Sequence, residues 1–472
     1  MRTTNTVFAA LAVLTSTASA APAANFWGAD RCSKCIAASA YNGPYQGVGT
    51  SLEGRTNDGG SFGKFLHITD IHIDELYLKG SDPATMCHRA NDTDVSLNIA
   101  GKYGTLGSIC DTPQALMDAT FDWMRENTKD VDFILYTGDS ARHDRDKLVP
   151  RAKLGTLSEH QSIADKIVST FDLQKTKFIP TFGNNDQFDY NKMAAVADPI
   201  IANLTDIWAP FGLGLDTNTA WKKGGYFSYE VKPGLVVINL NSMLLFSSNV
   251  LTKDCSLDGS AGAEMLAWME NTLNTIRSNG KRAYIMQHVP PTSASGKALY
   301  FPGCQKAYID LIGKYAGSIL GSFFGHTNSD YVSFIYTNNT IRPTDGPFFI
   351  STITDQPPTV NFDKSCVLHV MSQGPSIIPA NNPAVRVYKY STASDSMGAL
   401  ISYVQYWSDL VQDNTNDAVT YDVEYTTAKT YSLWNLAPHN WAKVFQQWSR
   451  NSASFQDYVR YRFVQNPNPD PK

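Results

Sequence analysis

One short construction recurs five times along the chain: an apolar, β-branched run that ends in Asp, His or Asn. The first is Phe65-Leu66-His67-Ile68-Thr69, which runs into Asp70-Ile71-His72. Residues 133–137 run into Gly138-Asp139-Ser140-Ala141-Arg142-His143-Asp144, and residues 178–182 into Gly183-Asn184-Asn185-Asp186. Arg282–Met286 leads to Gln287-His288-Val289-Pro290-Pro291, and Ile319–Phe324 to Gly325-His326-Thr327-Asn328. Such runs read as buried strands. Helical patterns lie between them. Asp111-Thr112-Pro113 opens a helix that reaches Asn127, and Ser158 with Gln161 forms a capping box for a helix over 158–171. Further helices are expected over Ala261–Ser278 and 305–315, and further strands over 226–231, 235–240, 331–336, 348–353 and 385–390. The alternation predicts the α/β class.

The strand ends carry the chemistry. Asp70 and His72, two residues apart, can present a carboxylate and an imidazole to one cation. Together the five ends offer Asp70, His72, Asp139, Asn184, His288, His326 and Asn328. All are oxygen or nitrogen donors with no thiolate, which suits Zn, Mn or Fe rather than copper(I) or an iron–sulfur cluster. Seven donors exceed one tetrahedral ion and match two divalent ions that share a carboxylate. Such a pair activates a bridging water and clamps an in-line displacement at phosphorus. His143, in the loop just after Asp139, is a candidate catalytic donor, and Arg142 a candidate stabiliser of phosphoryl charge. His67, inside its strand, reads as structural, while His88, His160, His369 and His439 show no partner pattern.

Composition narrows the setting. With 472 residues, 43% of them hydrophobic, the chain can bury a large core without help from metal. A net charge of −5 leaves no electrostatic footprint for nucleic acid. Met1-Arg2, the apolar stretch 7–14 and Ala18-Ser19-Ala20 read as a signal peptide over residues 1–20. No later run is long enough to span a bilayer, so no stable membrane insertion is expected. The expected location is therefore outside the cell, or the lumen of the secretory pathway or vacuole. In an oxidising compartment the seven cysteines read as disulfide candidates. Cys87 and Cys110 bracket the loop after the first strand, and Cys255 and Cys304 bracket a helix and a strand end, so these two pairs are expected. Cys32, Cys35 and Cys366 remain unassigned, and no second C-x-x-C completes a zinc set around Cys32 and Cys35. Asn91, Asn203 and Asn338 head glycosylation sequons.

The ordered set D-x-H, G-D-x-x-R-H-D, G-N-x-D, H-V-P-P and G-H-x-N resembles the calcineurin-like metallophosphoesterases, from Lys64 to Tyr390. Within that superfamily four further stretches are similar to the acid sphingomyelinase and endopolyphosphatase branch. They are Asp70 to Tyr77 as D-I-H-x-D-x-x-Y, Cys87-His88-Arg89, Cys110-Asp111-Thr112-Pro113, and Gly374-Pro375-Ser376 with Asn382-Pro383-Ala384-Val385-Arg386-Val387-Tyr388. The resemblance implies a two-sheet αββα sandwich with the site on loops at one edge. It implies Asp70 and His72 on a first metal, Asp139 bridging, and Asn184, His288 and His326 on a second. Asn328 stands where most of the superfamily has a His ligand of the first metal. Asn185 stands where sphingomyelinase-like enzymes have a His that assists the leaving group. G-N-N-D and G-H-x-N instead resemble fungal endopolyphosphatases.

The domain reading that follows is a lead-in segment at 21–63 and a metallophosphoesterase domain at 64–397. A helical, aromatic-rich extension at 398–465 and a disordered tail at 466–472 complete it. The function implied is hydrolysis of P–O bonds in polyphosphate or another soluble phosphodiester or phosphoanhydride. A sphingomyelin-type lipid hydrolase is one alternative, and a secreted glycoprotein whose site has decayed is another. A polyanionic substrate needs a basic track, for which Arg89, Arg142, Arg145, Lys147, Arg151, Lys297 and Lys306 are the candidates.

Overall fold

The computed structural model describes Cys35 and residues 62–469. The expected signal peptide, and the lead-in segment apart from Cys35 and its last two residues, lie outside the described residues. Thirteen strands form two sheets among the described residues. The strands are β1 (Phe62–Ile68), β2 (Phe133–Tyr136), β3 (Lys177–Pro180), β4 (Phe227–Lys232), β5 (Leu235–Asn239), β6 (Arg282–Met286) and β7 (Ile319–Phe324). They continue with β8 (Val332–Thr337), β9 (Phe348–Thr352), β10 (Cys366–Gln373), β11 (Ala384–Ser391), β12 (Leu400–Ser408) and β13 (Tyr421–Thr426). One sheet has the order β13-β12-β11-β1-β2-β3 and the other β4-β5-β6-β7-β10-β8-β9.

Phe65 of β1 shows why the sheets pack as a sandwich. Its ring stacks on Phe133 of β2 and Tyr388 of β11, each 4.8 Å away in the same sheet. It meets Phe323 of β7 edge-on at 5.4 Å and Tyr284 of β6 at 5.5 Å across the layer. Alternation turns every second side chain of β1 toward the opposite sheet, and aromatic rings fill the gap with little conformational entropy to lose. Helices α1 (Gln114–Asn127), α2 (Lys153–Thr170), α3 (Ala261–Ser278) and α4 (Pro302–Lys314) follow the strands. The two-sheet α/β architecture implied by the sequence is present.

Several expectations are corrected. Helix α2 starts at Lys153, not at Ser158, and its N-cap position is Ala152, so Ser158 and Gln161 form no capping box. The sequence reading did not find β10, a strand buried along its whole length in the middle of its sheet. Burial on both faces removes the alternation that marks a half-buried strand. The segment 398–465 is not wholly helical, because β12 and β13 extend the first sheet. Tyr403, Tyr406 and Trp407 favour a strand, and period-two burial wins over a helical reading of the aromatic spacing. Helices α5 (Pro438–Trp448) and α6 (Ala453–Tyr461) come only after them; Trp441, Trp448 and Tyr458 are buried, whereas Trp407 is half-buried. In the expected tail, Asn466 is buried and donates to Asn381 Oδ1 at 3.0 Å. Residues 470–472 lie outside the described residues.

Disulfides join Cys87 to Cys110, Cys255 to Cys304, and Cys35 to Cys366 at the start of β10. No helix among the described residues is long and apolar enough to cross a membrane.

Candidate metal centre

Strands β1, β2 and β3 run parallel, as do β5, β6 and β7, so the carboxyl ends of β1, β2, β3, β6 and β7 deliver their loops to one edge of the sandwich. Open parallel sheets place ligands at this end. Loops of the two sheets are tied across the edge: His288 Nδ1 meets Thr137 O at 2.8 Å, and His326 N–H donates to Asp70 Oδ2 at 2.9 Å.

The backbone at these ends is unusual. Asp70, His72, Asp139, His326 and Asn328 have φ of 50°, 45°, 60°, 79° and 54°. Non-glycine residues seldom adopt the left-handed region, and where they concentrate the surrounding structure must hold them there. Much of that holding falls to Asp186. Its buried carboxylate accepts the N–H groups of Asp139 at 2.8 Å and Gly183 at 2.7 Å on Oδ2, and of Ser140 at 2.7 Å and Ala141 at 3.1 Å on Oδ1. A charged acceptor thus locks the β2 and β3 loops together. Gly183 and Gly325 are required by space: a Cβ at Gly183 would collide with the Asp139 carboxylate, and one at Gly325 with Thr69 Oγ1 and Asp70 Oδ2.

Two donor sets converge on Asp139. Its Oδ2 lies 3.4 Å from His72 Nε2 and 3.2 Å from His288 Nε2. Asp70 Oδ1 lies 3.6 Å from His72 Nε2. Asn184 Oδ1 lies 3.0 Å from His288 Nε2 and 2.7 Å from His326 Nδ1. Donor atoms of Asp70, His72 and Asp139 lie within 4.8 Å of one another, as do those of Asp139, His288 and His326, so Asp139 belongs to both groups.

The tautomers test whether a cation fits. His72 Nδ1 faces Ala141 O at 2.9 Å and His288 Nδ1 faces Thr137 O. A carbonyl only accepts, so each Nδ1 carries the proton and each Nε2 lone pair points at an oxygen that is itself an acceptor. So many acceptors need positive charge among them, supplied by a proton on each Nε2 when no metal is bound and by a cation when one is. Asn328 Oδ1, buried without a hydrogen-bond partner, is a further free donor oxygen. The electrostatics agree. Burial is the largest influence and lowers the imidazole pKa of His72 and His288, yet the Asp139 and Asp70 carboxylates together outweigh it and both are pushed up to about 9. Burial raises Asp139, but the imidazoles of His288 and His72 hold it well below the usual carboxylate range. The residues present fit divalent cations.

Around the centre, His143 stacks on His72 with centroids 4.2 Å apart. Its Nδ1 faces Asp111 Oδ1 at 2.7 Å, and its N–H donates to Asp111 Oδ2 at 2.6 Å. The partner is therefore Asp111, which the sequence presented only as part of a helix-opening Asp-Thr-Pro. Asn185 donates Nδ2 to Asp139 Oδ2 at 2.7 Å and its N–H to Oδ1 at 2.9 Å, so it orients the shared carboxylate. His88, left without a partner by the sequence, bridges Asp146 at 2.7 Å and Asp74 at 2.8 Å and ties the 77–110 loop to the β1 and β2 loops. Asp186 and Asp74 stand in the motifs G-N-x-D and D-I-H-x-D-x-x-Y, but the roles of Asp186 as backbone acceptor and of Asp74 and Asp146 as partners of His88 have no spacing signature.

Arg142 is turned away from a phosphoryl role: its guanidinium donates to His143 O and Val149 O and stands 3.6 Å from Glu159. The expected basic track is similarly broken up. Arg89 pairs with Asp146, the buried Arg151 donates to the carbonyls of Arg142 and Gln187, and Lys306 pairs with Asp310. Arg145, Lys147 and Lys297 keep a solvent-facing position or a single carbonyl contact. Of the sequon asparagines, Asn91 and Asn203 are partly covered and Asn338 is exposed.

Residues 63–329 match the model of the calcineurin-like phosphoesterases, and residues 367–468 that of the acid sphingomyelin phosphodiesterase C-terminal region. A Neurospora crassa protein named endopolyphosphatase is 36% identical over 278 residues, 57% of this chain and 37% of that protein. A Cryptococcus neoformans protein of the same name is 34% identical over 303 residues, 58% of this chain and 44% of that one. The match therefore spans less than half the length of these fungal relatives. A Mus musculus protein named cyclic GMP-AMP phosphodiesterase is 28% identical over 410 residues, 85% of this chain and 84% of that one.

Proposed function

Because the chain belongs to the calcineurin-like phosphoesterase family, we propose that it hydrolyses P–O bonds in polyphosphate or another soluble phosphoanhydride or phosphodiester, with two divalent ions, Zn, Mn or Fe, at this centre. The observation that carries the reading is Asp139 Oδ2, placed between the Nε2 atoms of His72 and His288. Asp70, His72 and Asn328 would hold one ion and Asn184, His288 and His326 the other, with Asp139 common to both. Bound there, the ions supply positive charge against the phosphoryl oxygens and make a water nucleophilic at neutral pH. The protein's own part is orientation. Ala141 O and Thr137 O fix which imidazole nitrogen faces inward, and Asn185 fixes the Asp139 carboxylate. Asp111 fixes the His143 ring against His72 and, against the burial that lowers its pKa, favours the protonated imidazolium that a donor role requires. Arg145, Lys147 and Lys297 are the cations left for a polyanion. Three disulfides and the sequons support a secreted or lumenal glycoprotein.

Asp139→Asn tests the centre. Hydrolysis of bis(4-nitrophenyl) phosphate with added Mn or Zn is expected to be lost, and metal analysis to fall from two ions per chain. Unchanged activity with only trace metal sinks the reading, whereas a wild type that hydrolyses nothing with either metal leaves the decayed-site alternative standing. A second reading, hydrolysis of a sphingomyelin-type lipid, is favoured by the match over 367–468 and by the exposed Ile109 and Leu148 on loops beside the centre. Assaying long-chain polyphosphate, a nucleoside triphosphate and sphingomyelin under one metal condition separates the two. Turnover of sphingomyelin alone would select the lipid.

A further inference from the structure

The β7 loop carries His326 and Asn328 in left-handed backbone, and its own hydrogen bonds do not account for that shape. Besides the His326 N–H bond to Asp70 and the Gly325 N–H bond to His288 O, its outside support comes from the C-terminal part of the chain. Gln373 donates to Gly325 O, Asn381 Nδ2 donates to Asn328 O at 2.6 Å, and Asp330 N–H donates to Arg462 O at 2.7 Å. The Asp330 carboxylate pairs with the fully buried Arg386 at 2.6 Å.

The segment 374–382 also reaches the first ligand strand. Ile377 N–H donates to Thr69 O at 3.2 Å and Ile378 N–H to Asp70 O at 2.9 Å. It therefore touches the backbones of Asp70 and Asn328, both assigned to one ion, and makes no hydrogen bond to Asn184 or His288 among the described residues. Asn381 is itself held from behind, since its Oδ1 accepts Asn466 Nδ2 at 3.0 Å. The chain Asn466, Asn381, Asn328 is buried throughout, and it ends beside the unpartnered Asn328 Oδ1.

We propose that Asn381 is a positioning residue for the ion held by Asp70, His72 and Asn328, and that the C-terminal segment, through Asn466, sets how tightly that ion is bound. The proposal rests on the two-metal reading above. The donation to Asn328 O fixes the peptide whose rotation aims the Asn328 side chain. Without it the weakest ligand of the set loses its direction, while Asn184, His288 and His326 keep theirs. Residues that orient metal ligands in this way change affinity by about 10–100-fold when removed.

The test is calorimetric titration of the metal-free full chain with Mn²⁺ alone. The wild type is expected to take two ions. Asn381→Ala should weaken one of the two sites by about 10–100-fold and leave the other unchanged. Asn381→Asp, nearly the same shape but without the amide donor, should lose as much. Asn466→Ala should weaken the same site by less, and it serves as the test if the Asn381 variants do not fold. Two unaltered sites in the variants, or equal weakening of both, overturns the positioning role and leaves the two-metal reading intact. A wild type that binds no Mn²⁺ overturns both.

Discussion

Asp186→Asn keeps the shape of the residue that ties the β2 and β3 loops together and changes only its hydrogen-bonding capacity. Each carboxylate oxygen accepts two backbone N–H groups. Whichever oxygen becomes the amide nitrogen, two buried N–H groups lose an acceptor and face a donor, and the other two lose a charged partner. Hydrogen bonds to a charged group contribute about 1.5–3 kcal/mol each, so losing two costs about 3–6 kcal/mol. That is a large part of the roughly 5–15 kcal/mol that holds a domain folded. Urea unfolding of the metal-free protein at pH 7, followed by near-ultraviolet circular dichroism, reads this loss. The variant should also bind Mn²⁺ more weakly at both sites, because Asp139, which they share, hangs from this anchor. A loss below about 1 kcal/mol, the net value of one ordinary hydrogen bond, together with unaltered Mn²⁺ binding would refute the reasoning.

Burial pushes the Glu159 carboxyl up to about 8, against the pull of Arg151 and Arg142. The folded state then keeps a proton that the unfolded state has released, so stability should fall as pH rises from about 4.5 to about 8. Glu159→Gln should flatten that slope and raise stability at pH 8 by on the order of 4 kcal/mol, and a slope unchanged across pH-resolved urea unfolding would count against it. Replacing Cys87 and Cys110 by Ser opens a 23-residue separation and should cost about 3 kcal/mol. The same change at Cys255 and Cys304, 49 residues apart, should cost about 4 kcal/mol. Denaturant titration of each pair checks the order. His143→Gln should lower kcat by about 100- to 10,000-fold with both ions retained, and Asp111→Asn should follow with a smaller loss. Steady-state kinetics alongside metal analysis would expose a fall in metal content instead, which would make His143 a structural residue.

The sequence by itself determined where the chemistry sits. Phe65–Thr69, 133–137, 178–182, β6 and β7 announce themselves as strands because their apolar runs are short, continuous and stopped by Gly, Asp or His. Ligand residues sit at the ends of those strands, so reading the strands read the ligands. Tertiary structure alone decided what the sequence had no periodicity to express. Strand β10 is buried on both faces and shows no alternation, and β12 carries aromatics whose spacing also suits a helix. Arg142 and Arg151 look like phosphate ligands in sequence, yet they are spent on carbonyls and on Glu159 inside the loop. Asp186, Asp111 and Asn381 act on partners up to 53 residues away, at backbone groups that every residue possesses. Local sequence encodes which atoms can bind a cation. Which side chains hold those atoms still is set by contacts between distant segments, and such contacts exist only once the chain has closed on itself.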